Sequence, residues 1–143
     1  MLSMNFEIVT PERVVLREEV IQVTAPTRDG EITVLPGHIP LVAALLPGVI
    51  EIKKQDGTLE IMSVSGGFIE VLKDKVVILA DTAERAEEID IDRAREARER
   101  ARQTKENAEK MDHVEFADLS ARIAKELART KAAKKWKKIR GGN

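Results

Sequence analysis

Between Ala80 and Ala97 the chain runs ADTAERAEEIDIDRAREA, and within those residues an alternating apolar pattern gives way to a densely charged helical one. Side chains switch faces at every residue of a strand but return to one face of a helix about every 3.6 residues, so a change of period forces a change of architecture. A β module must be followed by an α module. The expected division is 1–86 and 87–143. Modules joined end to end can move against each other, and function is to be sought in that movement.

Up to Thr82 the first module reads as short strands separated by turn chemistry. Asn5–Thr10 runs into Pro11, and Ile21–Thr24 ends at Pro26, with Asp29 and Gly30 supplying a turn. Ile32 and Val34 point one way while Glu31 and Thr33 point the other, as a half-buried strand requires. Gly48 opens VIEIK, and Asp56-Gly57, a dipeptide that tolerates the positive φ of tight hairpins, joins it to Leu59–Val64. Gly66-Gly67 then separates FIEVL, which turns at Lys73-Asp74 into VVILA. About eight to ten such strands, with no helical period among them, predict a β-sandwich or flattened barrel.

The second module has no proline and, before Gly141, no glycine. Asp90 or Asp92 can cap a first helix running to about Lys110, with a break at Met111-Asp112. Asp112 and Glu115 have the spacing of a capping box, which starts a second helix running to about Lys138. The result is an antiparallel two-helix hairpin. The inward stripe of its first helix is Ala94, Ala97, Ala101 and Ala108, interrupted at Thr104 or Lys105. A buried methyl contributes about 0.8 kcal/mol against roughly 1.5–3 kcal/mol for a leucine, so this seam is thin. Helix two supplies Phe116, Leu119, Ile123 and Leu127 at spacings of three and four, beside Ala117, Ala121, Ala124 and Ala128. Pairs such as Glu96/Arg100, Arg102/Glu106 and Glu106/Lys110 favour each helix locally. Persistent helices with weak mutual packing can exchange partners at small cost.

Composition narrows the chemistry. With no cysteine, thiolate catalysis, disulfides and Cys-based zinc sites are excluded. His38 and His113 lie in different modules without ligands at a metal-binding spacing; they read as a turn residue and a first-turn helix residue. Ser63 and Ser65 precede Gly66-Gly67 but do not form a nucleophile elbow, and the LPGH turn lacks the length and lysine of a phosphate loop. The chain is therefore expected to be non-catalytic and to require no cofactor. Its most apolar run, Ile39–Leu46, contains Pro40, stops at Pro47 and falls short of the roughly 20 residues of a membrane span. MLSMNFEIV lacks the cationic start of a secretory signal. The net charge of −1 conceals six basic residues and no acidic one between Lys131 and Arg140, so the partner of that end should be anionic.

Taken together, MNFEIVTPERVV, GEITVLPGHIPLVAALLPGVIEI, SVSGGFIEVLKDKVVILADTA and IDIDRAREARERA, in this order, resemble the ε subunits of F-type rotary ATP synthases over nearly the whole chain. That resemblance implies a β-sandwich attached to the γ shaft and the membrane ring of c subunits. It further implies a two-helix domain that either folds down on the sandwich or extends along the shaft to block ATP hydrolysis. The implied location is peripheral, on the cytoplasmic face of a bacterial plasma membrane or the stromal face of a thylakoid. By matching positions, Glu31 and His38 of the LPGH turn would face the rotor; the alternative is that Pro36-Gly37 simply makes a turn. Lys131, Lys134, Lys135, Lys137, Lys138 and Arg140 would meet an acidic segment of the catalytic β subunits, against the alternative of a merely solvated helix end.

The family's regulatory nucleotide motif, I/L-D-x-x-R-A, is matched by Ile89, Asp90, Arg93 and Ala94, and Arg100 falls at a further family position. Regulatory ATP is implied. The same residues can equally cap the helix and pair within it. On helix two, the arginines of nucleotide-binding members align with Ile123 and Leu127, with Arg122 and Arg129 only nearby. The competing reading from another class is a nucleic-acid-binding adaptor gripping phosphates through the lysine-rich end around Trp136. Aromatics at 3% leave it without a stacking platform.

Overall fold

The computed structural model describes residues 2–107 and 112–141. Nine strands come first: β1 (Met4–Val9), β2 (Val14–Thr27), β3 (Gly30–Val34), β4 (Leu41–Leu45), β5 (Gly48–Lys54), β6 (Leu59–Val64), β7 (Gly67–Leu72), β8 (Lys75–Ala80) and β9 (Ala83–Arg85). A 3-10 turn at Ala86–Glu88 leads into α1 (Ile91–Asn107) and α2 (His113–Arg140).

The strands hydrogen-bond in the order β1-β8-β7-β4-β2-β5-β6-β9, and β3 adds to β2. Because β1 also pairs with β2, the sheet closes on itself as a flattened sandwich. β2 makes this possible by its length: its first half pairs with β1 and its second half with β3 and β5. Pro26 therefore lies inside a strand that was expected to stop before it. The proline has no N–H to lose, and its carbonyl accepts from Leu46 N at 3.0 Å, so the strand continues past it.

Two further strands replace expected non-strand segments. The apolar run Ile39–Leu46 holds β4 between its bracketing prolines, and β9 pairs with β6 through Ala83, Glu84 and Arg85. The core between the layers is built from Phe6, Ile8, Val20, Val23, Ile50, Ile52, Met62, Ile69, Ile78 and their neighbours, all from strands.

Alternation fails informatively in β6. Ile61, Met62, Ser63 and Val64 are all buried, because Met62 and Val64 face the sandwich core while Ile61 lies under the second helix. A small second cluster forms there, of Ile61, Ala86 and Ala132 with Val49, Ile89 and Trp136.

At the hairpin, Asp90 is the cap of α1: its Oδ1 accepts from Asp92 N at 3.1 Å and Arg93 N at 3.2 Å. Asp112 caps α2, accepting from Glu115 N at 2.8 Å. Ala94 and Ala101 are buried and Ala97 half-buried, while Ala108, Lys110 and Met111 lie outside the described residues. On α2 the expected large stripe is not where burial occurs. Phe116 is 49% exposed and Leu127 36%, whereas Ala128, Thr130, Ala132 and Ala133 are covered. The physical reason is close approach: small side chains let the helix pack tightly on its neighbours, and Ala132 is the one that settles on the sheet.

Candidate functional site

The interface between α2 and the sandwich is the candidate site best defined by geometry. α2 lies across β5 and β6, and its contact is the small apolar cluster around Ile61, Ala86 and Ala132. Ion pairs flank that cluster. Arg129 Nε donates to Glu84 Oε2 at 2.6 Å, and Arg129 Nη1 to Glu126 Oε2 at 2.8 Å. Burial disfavours the charge on Arg129, but hydrogen bonds from its guanidinium to Glu84 and Glu126 outweigh it and leave the guanidinium more firmly protonated than usual. Lys135 pairs with Glu51 on β5. Thr130, buried on the same helix, is satisfied by donating to Glu126 O at 2.8 Å.

The six basic residues Lys131, Lys134, Lys135, Lys137, Lys138 and Arg140 are all exposed on the last turns of α2. Lys135 is engaged with Glu51, and Arg140 stacks over the Trp136 ring at 5.7 Å. A chain end so basic presents a field to an anionic surface even while the helix is seated.

Residues of the nucleotide motif are distributed rather than convergent. Ile89 packs into the second cluster, Ala94 is fully buried, and Asp90 is spent as the cap. Arg93 reaches back to Asp90 at 4.0 Å with 84% of its side chain exposed. Arg100, two helical turns on and thus on the same face as Arg93, lines an inter-helix groove of about 290 Å³ with Ala97, Thr104, Leu119, Arg122 and Glu126. Arg122 is therefore the helix-two arginine that shares a groove with Arg100. Arg129 is occupied by carboxylates.

Glu31 and His38 bracket β3, an edge strand, at its two ends. Glu31 is exposed and pairs in register with Pro26. Leu35–His38 forms a turn closed by His38 N donating to Leu35 O at 3.1 Å, with Gly37 at φ +85 in the left-handed region a glycine favours. His38 Nδ1 sits 2.6 Å from Ile39 O. The apolar side chains beside the turn point outward: Leu35 and Ile39 are exposed, as is Val42 on β4.

Sequence reasoning missed a neighbouring surface. Phe68 of β7 and Leu79 of β8 are cross-strand partners, both about half exposed, and Ala44 of β4 lies opposite Phe68. Large apolar residues at the outward positions of alternating strands were the available signal. Ser63 is buried in β6, and Ser65 Oγ accepts from Thr82 N at 2.9 Å, joining two loops. Among the described residues, no group of carboxylates and histidines could hold a metal. No described helix is long and apolar enough to cross a membrane.

Against known proteins, residues 3–86 match the family profile described as ATP synthase, Delta/Epsilon chain, beta-sandwich domain. The ATP synthase epsilon chain of Moorella thermoacetica is 48% identical over 133 residues, covering 93% of this chain and 98% of that one. That of Dehalococcoides mccartyi is 46% identical over 140 residues, covering 96% and 97%. Among solved structures, a chain of the Euglena gracilis mitochondrial ATP synthase, OSCP/F1/c-ring, superposes with a TM-score of 0.79 at 26% identity, covering 92% of this chain and 82% of that one. A chain of the Tetrahymena thermophila mitochondrial ATP synthase central stalk and c-ring shares the fold at a TM-score of 0.62 and 18% identity, covering 91% and 96%.

Proposed function

The chain belongs to the ATP synthase epsilon chain family, a non-catalytic subunit, and from that premise we propose that it is a rotor component whose C-terminal hairpin, residues 87–143, brakes ATP hydrolysis. The observation that carries this reading is the mismatch between the two sides of α2. Ala132 seats it on the sandwich, while Phe116, Leu127 and the six basic residues remain exposed. A helix held by one small apolar cluster and two partly exposed ion pairs leaves its seat for a small differential contact elsewhere, on the order of a few kcal/mol.

In the braking state the hairpin extends along the γ shaft, and Lys131, Lys134, Lys135, Lys137, Lys138 and Arg140 meet an acidic segment of the β subunits. Attraction of this kind accelerates insertion and weakens with salt. Replacing the six residues with alanine should relieve inhibition of hydrolysis in the assembled enzyme. Full inhibition by that variant would remove the basic tail from the mechanism.

The sandwich, residues 1–86, docks on γ and the c ring through β3, which carries Glu31, and the turn after it, which carries His38. The outward Leu35, Ile39 and Val42 support this placement, since clustered exposed apolar side chains mark contact surfaces. Cysteines at positions 31 and 38 should crosslink to the c ring and γ; capture of neither counts against the orientation. The complex then holds this chain peripherally at the cytoplasmic face of the membrane.

Regulatory ATP has a specific observation behind it: Arg100 and Arg122 line one groove, with Arg93 on the same face of α1. Two arginines converging on a groove suit phosphate oxygens. Calorimetric titration of the isolated chain with Mg-free ATP should give heat that is lost in Arg100→Ala. No heat at millimolar ligand excludes the site. The nucleic-acid adaptor has only the basic tail in its favour.

A further inference from the structure

The seated hairpin is fastened to the sandwich by charges that come from both modules. Glu51 stands directly opposite Ile61 in the β5–β6 ladder, and Glu84 opposite Ser63 in β6–β9, so both carboxylates flank the apolar patch on which Ala132 rests. From the helix, Arg129 and Lys135 reach one each. Glu126, the other partner of Arg129, lies on the helix itself and travels with it. Undocking therefore costs Arg129 only Glu84 and costs Lys135 only Glu51.

We propose that Glu51 and Glu84 form an intramolecular acidic latch that competes with any external acidic partner for the cations of α2, and so sets how readily the hairpin is released. The proposal rests on the reading of the hairpin as a movable brake and adds its regulation. Lys135 belongs to the basic tail, so a carboxylate of the sandwich already occupies a cation that the braking state needs. Two opposite effects on one activity follow. Removing the tail cations that the sandwich does not hold weakens braking, whereas removing a sandwich carboxylate strengthens it, because the seated state loses a contact that the extended state never had. Both carboxylates are partly exposed, so each pair should shift the equilibrium by about two- to fivefold, and salt should erase the difference.

The test uses the full chain, which has no cysteine of its own. Ile61 is 2% exposed beneath α2, so the labelling rate of the thiol in an Ile61→Cys background reads the fraction of chains with the hairpin released. Adding Glu51→Gln or Glu84→Gln should raise that rate about two- to fivefold at low salt. The charge exchange Glu51→Lys with Lys135→Glu should return it to the parent value. An unchanged rate in both single variants, or an exchange that fails to restore it, overturns the latch. In the assembled enzyme, Glu51→Gln without the cysteine should inhibit hydrolysis more strongly than the parent. Faster labelling with unaltered hydrolysis leaves the latch in place and counts against the braking reading alone.

Discussion

Gly67 shows how a single side chain constrains this fold. It holds φ at +124 where β7 begins, and a Cβ there would lie 2.9 Å from Ala80 Cα and collide with the Leu79 carbonyl across the ladder. Neither neighbour can move without opening the β7–β8 pair. Gly57, in the β5–β6 hairpin, also has a positive φ but faces open space. Gly67→Ala should therefore lose about 2–4 kcal/mol of unfolding free energy in urea, and Gly57→Ala about 1 kcal/mol. Equal losses would show that the clash is relieved elsewhere. Glu7 makes a pH-dependent contribution. The Arg17 guanidinium donates to its Oε1 at 3.0 Å, and this bond, against partial burial and with help from Lys75, holds the carboxyl below its ordinary 4.5. A carboxyl depressed on folding stabilises fully above its unfolded value, and that contribution is lost as pH falls through the folded one. The stability difference between the parent and Glu7→Gln should stay constant in neutral buffer, shrink only below 4.5 and vanish in strong acid. A difference already lost on moving from pH 7 to about pH 5 would contradict the pairing.

At the scale of elements, α2 acts as one rod with two jobs. Its 28 residues span about 42 Å; it packs on α1 as well as on β5 and β6, and Ala132 and Trp136 are seated on the sandwich. Because Ala132 is fully covered between Ile61 and Ala86, Ala132→Leu should overpack the seat by about 1–3 kcal/mol. Trp136, the chain's single tryptophan and half-buried in the same cluster, should then shift its emission to the red while the strands keep their circular dichroism. Unshifted emission would place the seat elsewhere. Much of this element plan was legible in order: the change of period, the turns at Asp29-Gly30 and Asp56-Gly57, and the Asp112 cap all carry local chemistry. β4 was hidden because six apolar residues between Pro40 and Pro47 have no period of their own, and β9 because three residues cannot establish one. The choice of alanines over Phe116 and Leu127 for the seat was also illegible. Amphipathic spacing identifies which residues share a face but not which face a sheet will cover. The pairs Glu51–Lys135 and Glu84–Arg129 join residues far apart in the chain, and nothing local announces them.

For the molecule as a whole, the arrangement of cores decides which part can stand alone. Every residue of the main core lies between Met4 and Ala83, and the sheet that encloses it closes through β1 and β2 without any helix. The second cluster is the buried apolar contact that joins the sandwich to α2, and it contributes one large covered side chain, Ile61. A cut after Thr82 would strip β9 from β6, confounding loss of the hairpin with damage to the sheet. A cut after Glu88 keeps β9 and the 3-10 turn while removing both helices. The shortened chain, residues 1–88, should fold cooperatively and lose about 1–3 kcal/mol, roughly the cost of returning Ile61 to water. Installed in the assembled enzyme, it should leave coupling to the ring intact and raise ATP hydrolysis, since the docking surface proposed at Glu31 and His38 is retained and the proposed brake is gone. An unfolded fragment would mean that the helices complete the sandwich core. A folded, assembled fragment with an unchanged hydrolysis rate would instead mean that the hairpin moves without braking, because nothing else would have been taken from the rotor.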